Sequence, residues 1–289
     1  MNKQTVFITG TSSGFGFLTA KALTRKGHTV FASMRDSRGK NASAAFELIR
    51  HAENIPGRMH VLDLDVTDER SVQAAVDEAL SLEGAIDVAV NNAGVGAIGL
   101  TECFTIDQFR QILDVNLFGA QRVNRAVLPS MRKRGSGLLV HVSSIVGRLV
   151  PPISSPYAVS KFALEALAES YHYELAPLGI ESIIVEPGSY STSFDADKQT
   201  PADKERIASY GPMGEMWDRT FRQIREAAGG PHLRNPEDVA VAIARLIDTP
   251  AGKRPLRTIV GAGMFGQYVE AINRVSSGLE QDWSSIQDR

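Results

Sequence analysis

Hydrophobic residues fall in short blocks along this chain, and the blocks are of two kinds. The first is a short run of four to six residues, mostly apolar or β-branched: Thr5–Thr9, residues 29–33, 59–62, 86–90, 138–142 and 180–185, and Arg257–Val260. Runs without polar alternation predict strands covered on both faces, as in a parallel sheet. The second kind repeats at helical spacing, from Leu18 through Ala22 and Leu23, then over residues 69–82, 106–134, 155–176, 236–247 and 266–279. Strand and helix blocks alternate, which predicts one α/β domain over residues 1–289: a doubly wound, seven-stranded parallel sheet with helices on both faces. Residues 189–230 are irregular and carry Phe194, Met213, Met216, Trp217 and Phe221. They predict one or two helices forming a lid, whose apolar residues either pack it down or touch a substrate. A helical extension closes the chain from about residue 266 to 289.

Composition narrows the function classes. The 289 residues are 43% hydrophobic and 22% charged, with a formal net charge of -2 and no basic cluster. Nothing in that balance calls for nucleic acid or an anionic membrane. Cys103 is the only cysteine, which fits a reducing compartment. No apolar run is of bilayer length, and the N-terminus enters a strand without a signal-peptide pattern, so a cytoplasmic protein without membrane insertion is expected. The six histidines show no ligand spacing and no metal is expected; His141 reads as a packed strand residue.

Candidate chemistry gathers where strands end. After the first strand comes Gly10-Thr11-Ser12-Ser13-Gly14-Phe15-Gly16, then a helix. Glycines there allow close approach of a pyrophosphate, and the helix N-terminus supplies free N–H groups. The second strand ends in Ser33-Met34-Arg35-Asp36. A carboxylate at that point would hold the ribose diol of NAD; an arginine would pair with the 2′-phosphate of NADP. If the strand ends at Met34, Arg35 meets the phosphate; if it ends later, Asp36 meets the ribose. The fourth strand runs into Asn91-Asn92-Ala93-Gly94, and the fifth into Ser143-Ser144. Asn116 lies inside a helical block, either satisfied there or loosening it. Tyr157 and Lys161, one helical turn apart, place a cation beside a phenol, which favours loss of the phenolic proton.

Taken in order, Thr9-Gly10-x-x-x-Gly14-x-Gly16, Asp65-Val66, Asn91-Asn92-Ala93-Gly94, Asn116, Ser144, Tyr157-x-x-x-Lys161 and Pro187-Gly188 resemble the short-chain dehydrogenase/reductase superfamily over about residues 3–262. The resemblance implies a Rossmann fold and an oxidoreductase acting on CH–OH groups. It implies a catalytic set of Tyr157 as acid/base, Lys161 as its partner, Ser144 as the substrate-orienting hydroxyl and Asn116 holding a relay water. It also implies cofactor contacts at Gly10, Ser12, Ser13, Gly14, Phe15, Gly16, Arg35, Asp65, Val66, Asn92, Ala93, Gly94, Tyr157, Lys161, Pro187, Gly188 and Thr192. Glu186 carries no weight in this pattern. Met34 and Arg35 favour NADP(H) over NAD(H). Segments such as Phe31–Asp36 and Tyr157–Glu165 are similar to hydroxysteroid and retinol dehydrogenases, which implies a small-molecule substrate, a lipophilic ketone or secondary alcohol. A homodimer or homotetramer is implied as well. The alternatives are an NAD-dependent dehydrogenase of small alcohols, a nucleotide-sugar epimerase or dehydratase, and a cofactor sensor without catalysis. The last would be expected to lack Tyr157 or Lys161.

Overall fold

A computed structural model describes residues 3–190, 194, 198–227 and 234–287. The seven apolar runs form seven strands: β1 (Thr5–Thr9), β2 (Thr29–Met34), β3 (Arg58–Asp63), β4 (Val88–Asn91), β5 (Gly137–Val142), β6 (Ile180–Pro187) and β7 (Arg257–Val260). All pair parallel in a single sheet of order β3-β2-β1-β4-β5-β6-β7. Between the strands lie α1 (Gly14–Arg25), α2 (Ala42–Ala52), α3 (Glu69–Glu83), α4 (Ile106–Leu113), α5 (Gly119–Arg134) and α6 (Ser155–Leu175). After β6 come α7 (Lys204–Ser209), α8 (Pro212–Ala227) and α9 (Glu237–Asp248), and after β7 the terminal helix α10 (Gly266–Gln287).

The central strands are mostly apolar because both sheet faces are covered there. Val6, Ile8, Val30, Ala32, Val88, Val90 and Val140 pack with Leu23 of α1, Leu48 of α2 and Ile243 of α9. Their neighbours Phe7, Phe31, Ala89 and Leu139 point the other way, onto Val76 of α3 and Val123 and Val127 of α5. Alternate side chains of one strand thus feed two cores, and each core excludes water from the ladder.

Two details differ from the sequence reading. Helix α2 had no counterpart among the helical blocks. The expected block over residues 106–134 is two α-helices joined by a π-helical turn, Asp114–Phe118, with Asn116 at its centre. An extra residue per turn inside a helix is a distortion that recurs at functional sites, and here it carries the one asparagine that loosens the α pattern.

The strand order reverses between β1 and β4, so the chain leaves the sheet in opposite directions on either side of that pair. A crevice forms there beyond the carboxyl ends of the strands. The glycine turn after β1, the Asn92–Gly94 segment after β4, Ser143-Ser144 after β5 and Pro187-Gly188 at the end of β6 all open onto it.

Candidate active site

The crevice is built first from glycines and one threonine. Gly10 has φ +70, and a Cβ there would stand 2.8 Å from the Ala93 Cα. Gly16 faces the Gly10 carbonyl and the Asn92 amide so closely that a Cβ would overlap both. The Asn92 side chain donates to the carbonyls of Thr9 (2.9 Å) and Gly10 (3.0 Å). The Thr9 hydroxyl accepts from the main-chain N–H groups of Asn92 (3.1 Å) and Ala93 (3.0 Å). Thr9 opened the glycine motif in the sequence without an assigned role; the signal was a polar residue ending an otherwise apolar strand.

Helix α1 begins at Gly14, its N-cap Ser13 makes no side-chain capping bond, and its first turn holds no acidic residue. Its N-terminal N–H groups and dipole therefore face the crevice unopposed, which is the chemistry a phosphate requires. Ser12 lies in the same turn. Phe15 turns its ring edge-on to Tyr190, at 5.5 Å between centroids, so this side chain packs the turn from behind.

β2 ends at Met34, whose side chain is buried in the core. Arg35 stands free of the sheet with a 66% exposed side chain, 4.0 Å from the Asp65 carboxylate. Asp36 adopts φ 47 and its carboxylate accepts from the Lys40 N–H at 2.8 Å. That carboxylate is turned into its own loop. Asp65 likewise accepts from the N–H (2.9 Å) and hydroxyl (2.7 Å) of Thr67, while Val66 is buried against Gly119.

Deeper in the crevice, α6 carries the reactive candidates. Its buried stripe is unusual in holding Ser160, Lys161 and Glu165 beside Ala158, Leu164 and Ala168. Pro156 opens the first turn, where its missing N–H costs nothing. Lys161 is 4% exposed and donates to the Val142 carbonyl at the end of β5 (2.8 Å). Burial pushes its ammonium down to about 8, opposed by the charge of Glu165. The Lys161 Nζ stands 5.8 Å from the centre of the Tyr157 ring. The other edge of that ring packs on Phe194, 5.5 Å away, and on the small apolar cluster of Ala97, Phe104 and Ile112.

Asn116 is 2% exposed. Its amide donates to the Val95 carbonyl (2.9 Å) and the Ser160 hydroxyl (2.9 Å), and its side-chain oxygen accepts from the Val95 N–H (2.8 Å). Both side-chain donors are thus spent on clipping the loop after β4 to α6. In this structure the Asn116 side chain is a clip between those two elements. Ser160, its partner, was not anticipated. The Ser144 hydroxyl donates weakly to the Pro187 carbonyl (3.4 Å) and accepts from the Val146 N–H (3.2 Å). Gly188 packs against the main chain of Gly261 and its N–H is held by Val260 (2.8 Å). Thr192 lies outside the described residues.

Glu186, given no weight in the sequence, is fully buried at the end of β6. Burial and the nearby Glu165 push its carboxyl up to about 7. His141 is a buried strand residue, and burial lowers its imidazole to about 3.

A dinucleotide cradle at the switch point of a doubly wound sheet, with a phenol, an ammonium and a hydroxyl at its inner end, defines a Rossmann-type oxidoreductase site. The short chain dehydrogenase family model matches residues 4–203. The chain is 36% identical over 269 residues to an uncharacterized oxidoreductase of Bacillus subtilis, covering 91% of both proteins. It is 34% identical to a 3-ketodihydrosphingosine reductase of Bacteroides thetaiotaomicron over 263 residues (90% of this chain, 89% of that one). It is also 34% identical to human 17-beta-hydroxysteroid dehydrogenase type 1 over 257 residues (86% and 76%). A short-chain dehydrogenase from Streptomyces avermitilis superposes with a TM-score of 0.78 at 30% identity, over 99% of this chain and 98% of that one. Two structures at 25% identity hold nicotinamide cofactors. One is an alcohol dehydrogenase from Thermococcus sibiricus with 5-hydroxy-NADP (TM-score 0.69, covering 89% and 96%). The other is a 3-ketoacyl-(acyl-carrier-protein) reductase from Brucella melitensis with NADH (0.72, 90% and 97%). The chain belongs to the short-chain dehydrogenase/reductase family and is an oxidoreductase of hydroxyl and keto groups.

Proposed function

We propose that this enzyme uses NADP(H) to interconvert a lipophilic ketone and its secondary alcohol. The observation that carries the reading is the pairing of Tyr157 and Lys161 on one face of α6, with the phenol ring set into the apolar cluster of Ala97, Phe104, Ile112 and Phe194. When bound, the cofactor supplies or accepts the hydride. The glycine turn and the N-terminus of α1 would hold its pyrophosphate, and Lys161 its nicotinamide ribose. Ser144, whose present bond to Pro187 is long, turns its hydroxyl to the substrate oxygen and fixes it. Tyr157 donates the proton as negative charge develops on that oxygen, a general-acid role. Lys161 stabilises the phenolate left behind. In the opposite direction the same groups accept the proton from an alcohol.

Two observations support NADP(H). Arg35 is free to make a charge-assisted pair with a 2′-phosphate, and the Asp36 carboxylate is occupied by the Lys40 N–H. A bulky apolar substrate fits the lining around Tyr157, and it fits relatives named for a sphingoid ketone and a steroid. A cytoplasmic setting fits a chain whose one cysteine is free and buried; no helix among the described residues is long and apolar enough to cross a membrane.

Steady-state kinetics on 3-ketosphingoid bases, ketosteroids and retinal, with NADPH and NADH in parallel, test the reading. Turnover with NADPH and a KM for NADPH that rises at least about tenfold in Arg35→Ala are expected. A wild-type preference for NADH overturns the cofactor assignment. Turnover confined to small hydrophilic ketones overturns the substrate class.

A further inference from the structure

Beneath the site lies a cluster of buried charges that the proposed chemistry does not use. Arg257 on β7 is 95% buried at its side chain, since only 5% is exposed. It faces Glu165 (2.9 Å) and Glu169 of α6, and Glu186 of β6 at 3.9 Å. Asn273, from the terminal helix α10, reaches into this cluster. Its amide nitrogen donates to the Glu186 carboxylate at 2.6 Å, and its amide oxygen accepts from the Nε of Arg148 at 2.8 Å.

The two residues it joins belong to the two shoulders of the active site. Glu186 directly precedes Pro187, whose carbonyl accepts the Ser144 hydroxyl. Arg148 caps the single 3-10 turn (Ile145–Gly147) that starts at Ser144, its N–H bonded to the Ile145 carbonyl at 3.1 Å. No hydrogen bond among the described residues links the Arg148 and Glu186 side chains directly. An amide is the side chain suited to the place, because it donates at one end and accepts at the other. A carboxylate or an amine would meet one partner with the wrong polarity.

We infer that Asn273 is a positioning residue for the reaction: by tying the loop after Ser144 to the end of β6, it sets the Ser144 hydroxyl relative to the substrate oxygen and to the Pro187-Gly188 wall of the cofactor site. The terminal helix thereby becomes part of the catalytic geometry. This inference rests on the proposed role of Ser144.

Two substitutions test it in the full-length enzyme. Asn273→Leu keeps the branched outline of the side chain and removes both bonds. Misplacing a group that orients substrate costs up to about a hundredfold in rate, so kcat is expected to fall about 10- to 100-fold, with the NADPH Kd changed less than about threefold. Asn273→Asp keeps the acceptor for Arg148 but turns the donor toward Glu186 into a second carboxylate. The bridge to Glu186 then needs a shared proton. Glu165 and Glu169 on α6 favour that proton; Arg257 on β7 and Arg148 oppose it. The ratio of variant to wild-type kcat is therefore expected to be highest in acid and to fall as pH rises above about 7, since losing the Asn273 donor and adding a second carboxylate both push the shared proton's titration above that of wild-type Glu186. A merely structural asparagine would lower Tm in both variants without bending that ratio.

Wild-type kcat in folded Asn273→Leu overturns the inference, as does a pH-independent ratio in Asn273→Asp, which remains readable should Asn273→Leu not fold. Tyr157→Phe is run alongside. If it turns over at the wild-type rate, the proposed chemistry itself falls; if it is inactive while Asn273→Leu is normal, only the positioning role falls.

Discussion

The reactive pair on α6 differs from an ordinary surface Tyr–Lys pair in one respect, the environment of the lysine. Removing an ammonium from water disfavours its charged form, and burial places Lys161 near 8 where a free lysine titrates near 10.5. The charged form is the one that can bond a ribose hydroxyl and stabilise a phenolate. Cofactor affinity is therefore expected to hold below about pH 8 and to decline as pH rises through it. Titrating NADPH fluorescence against pH measures this, and in Lys161→Met the affinity should be weaker and flat over the same range. A wild-type affinity constant to pH 9 would remove Lys161 from the ribose contact. The stability linkage has the opposite sign. The folded chain binds fewer protons at this position than the unfolded chain between about pH 8 and 10.5, so the contribution of Lys161 to stability rises with pH across that window. At Tyr157 the outcome expected is sharper. Tyr157→Phe removes one hydroxyl, leaves the contact with Phe194, and should cut kcat by about 10² to 10⁴ with NADPH binding near wild type.

Among the elements, the glycine turn is the one with least tolerance. Gly10 combines a left-handed φ of +70 with the Ala93 main chain 2.8 Å from where a Cβ would sit. Gly10→Ala is expected to destabilise the fold by at least about 2 kcal/mol, combining backbone strain with overpacking against groups that cannot yield. It should also raise the NADPH Kd by more than about tenfold. Thermal unfolding and a binding titration read the two effects separately, and a variant with wild-type values in both would mean the turn can rearrange. What could be read from the sequence follows the same division between local and distant. Strands were legible because most of their positions are buried, so each run is rich in apolar and β-branched residues. The glycine turn and the Tyr157–Lys161 pair were legible because their geometry is set by neighbours within a few residues. Helix α2 was not, because it buries only Ala45 and Leu48 while Phe46 and Ile49 face solvent, which blurs the apolar face. The orientation of the Asp36 carboxylate depends on a left-handed turn that no pattern announces. The bonds from Asn116 to Ser160 and from Asn273 to Glu186 and Arg148 join residues 44, 87 and 125 positions apart. Spacing along the chain carries no trace of them.

At the scale of the whole molecule, the surface left uncovered by the sheet's own helices points to a second copy. Val159 and Phe162 lie three apart on α6, hence on one face, and both are exposed, as are Ala166, Ser170 and Glu174 further along the helix. The π-helical turn packs beside α6 and leaves Phe118 exposed as well. Three large apolar side chains are thus exposed on adjoining elements, and an apolar patch formed by such residues is the kind of surface that marks an interaction site. A patch that spans two neighbouring helical segments suits an isologous contact, in which the same surface of each copy meets its partner about a two-fold axis. Multi-angle light scattering at micromolar concentration is expected to give the mass of a dimer or tetramer. Val159→Glu combined with Phe162→Glu places two charges where the axis would bury them. Burying unpaired charges costs several kcal/mol, so this variant is expected to run at half the wild-type mass or less. Neither residue faces the crevice, and the monomeric form should retain NADPH binding, which separates dissociation from unfolding. A wild-type protein of monomer mass, or a double variant that keeps the wild-type mass, would show that this face is left to solvent.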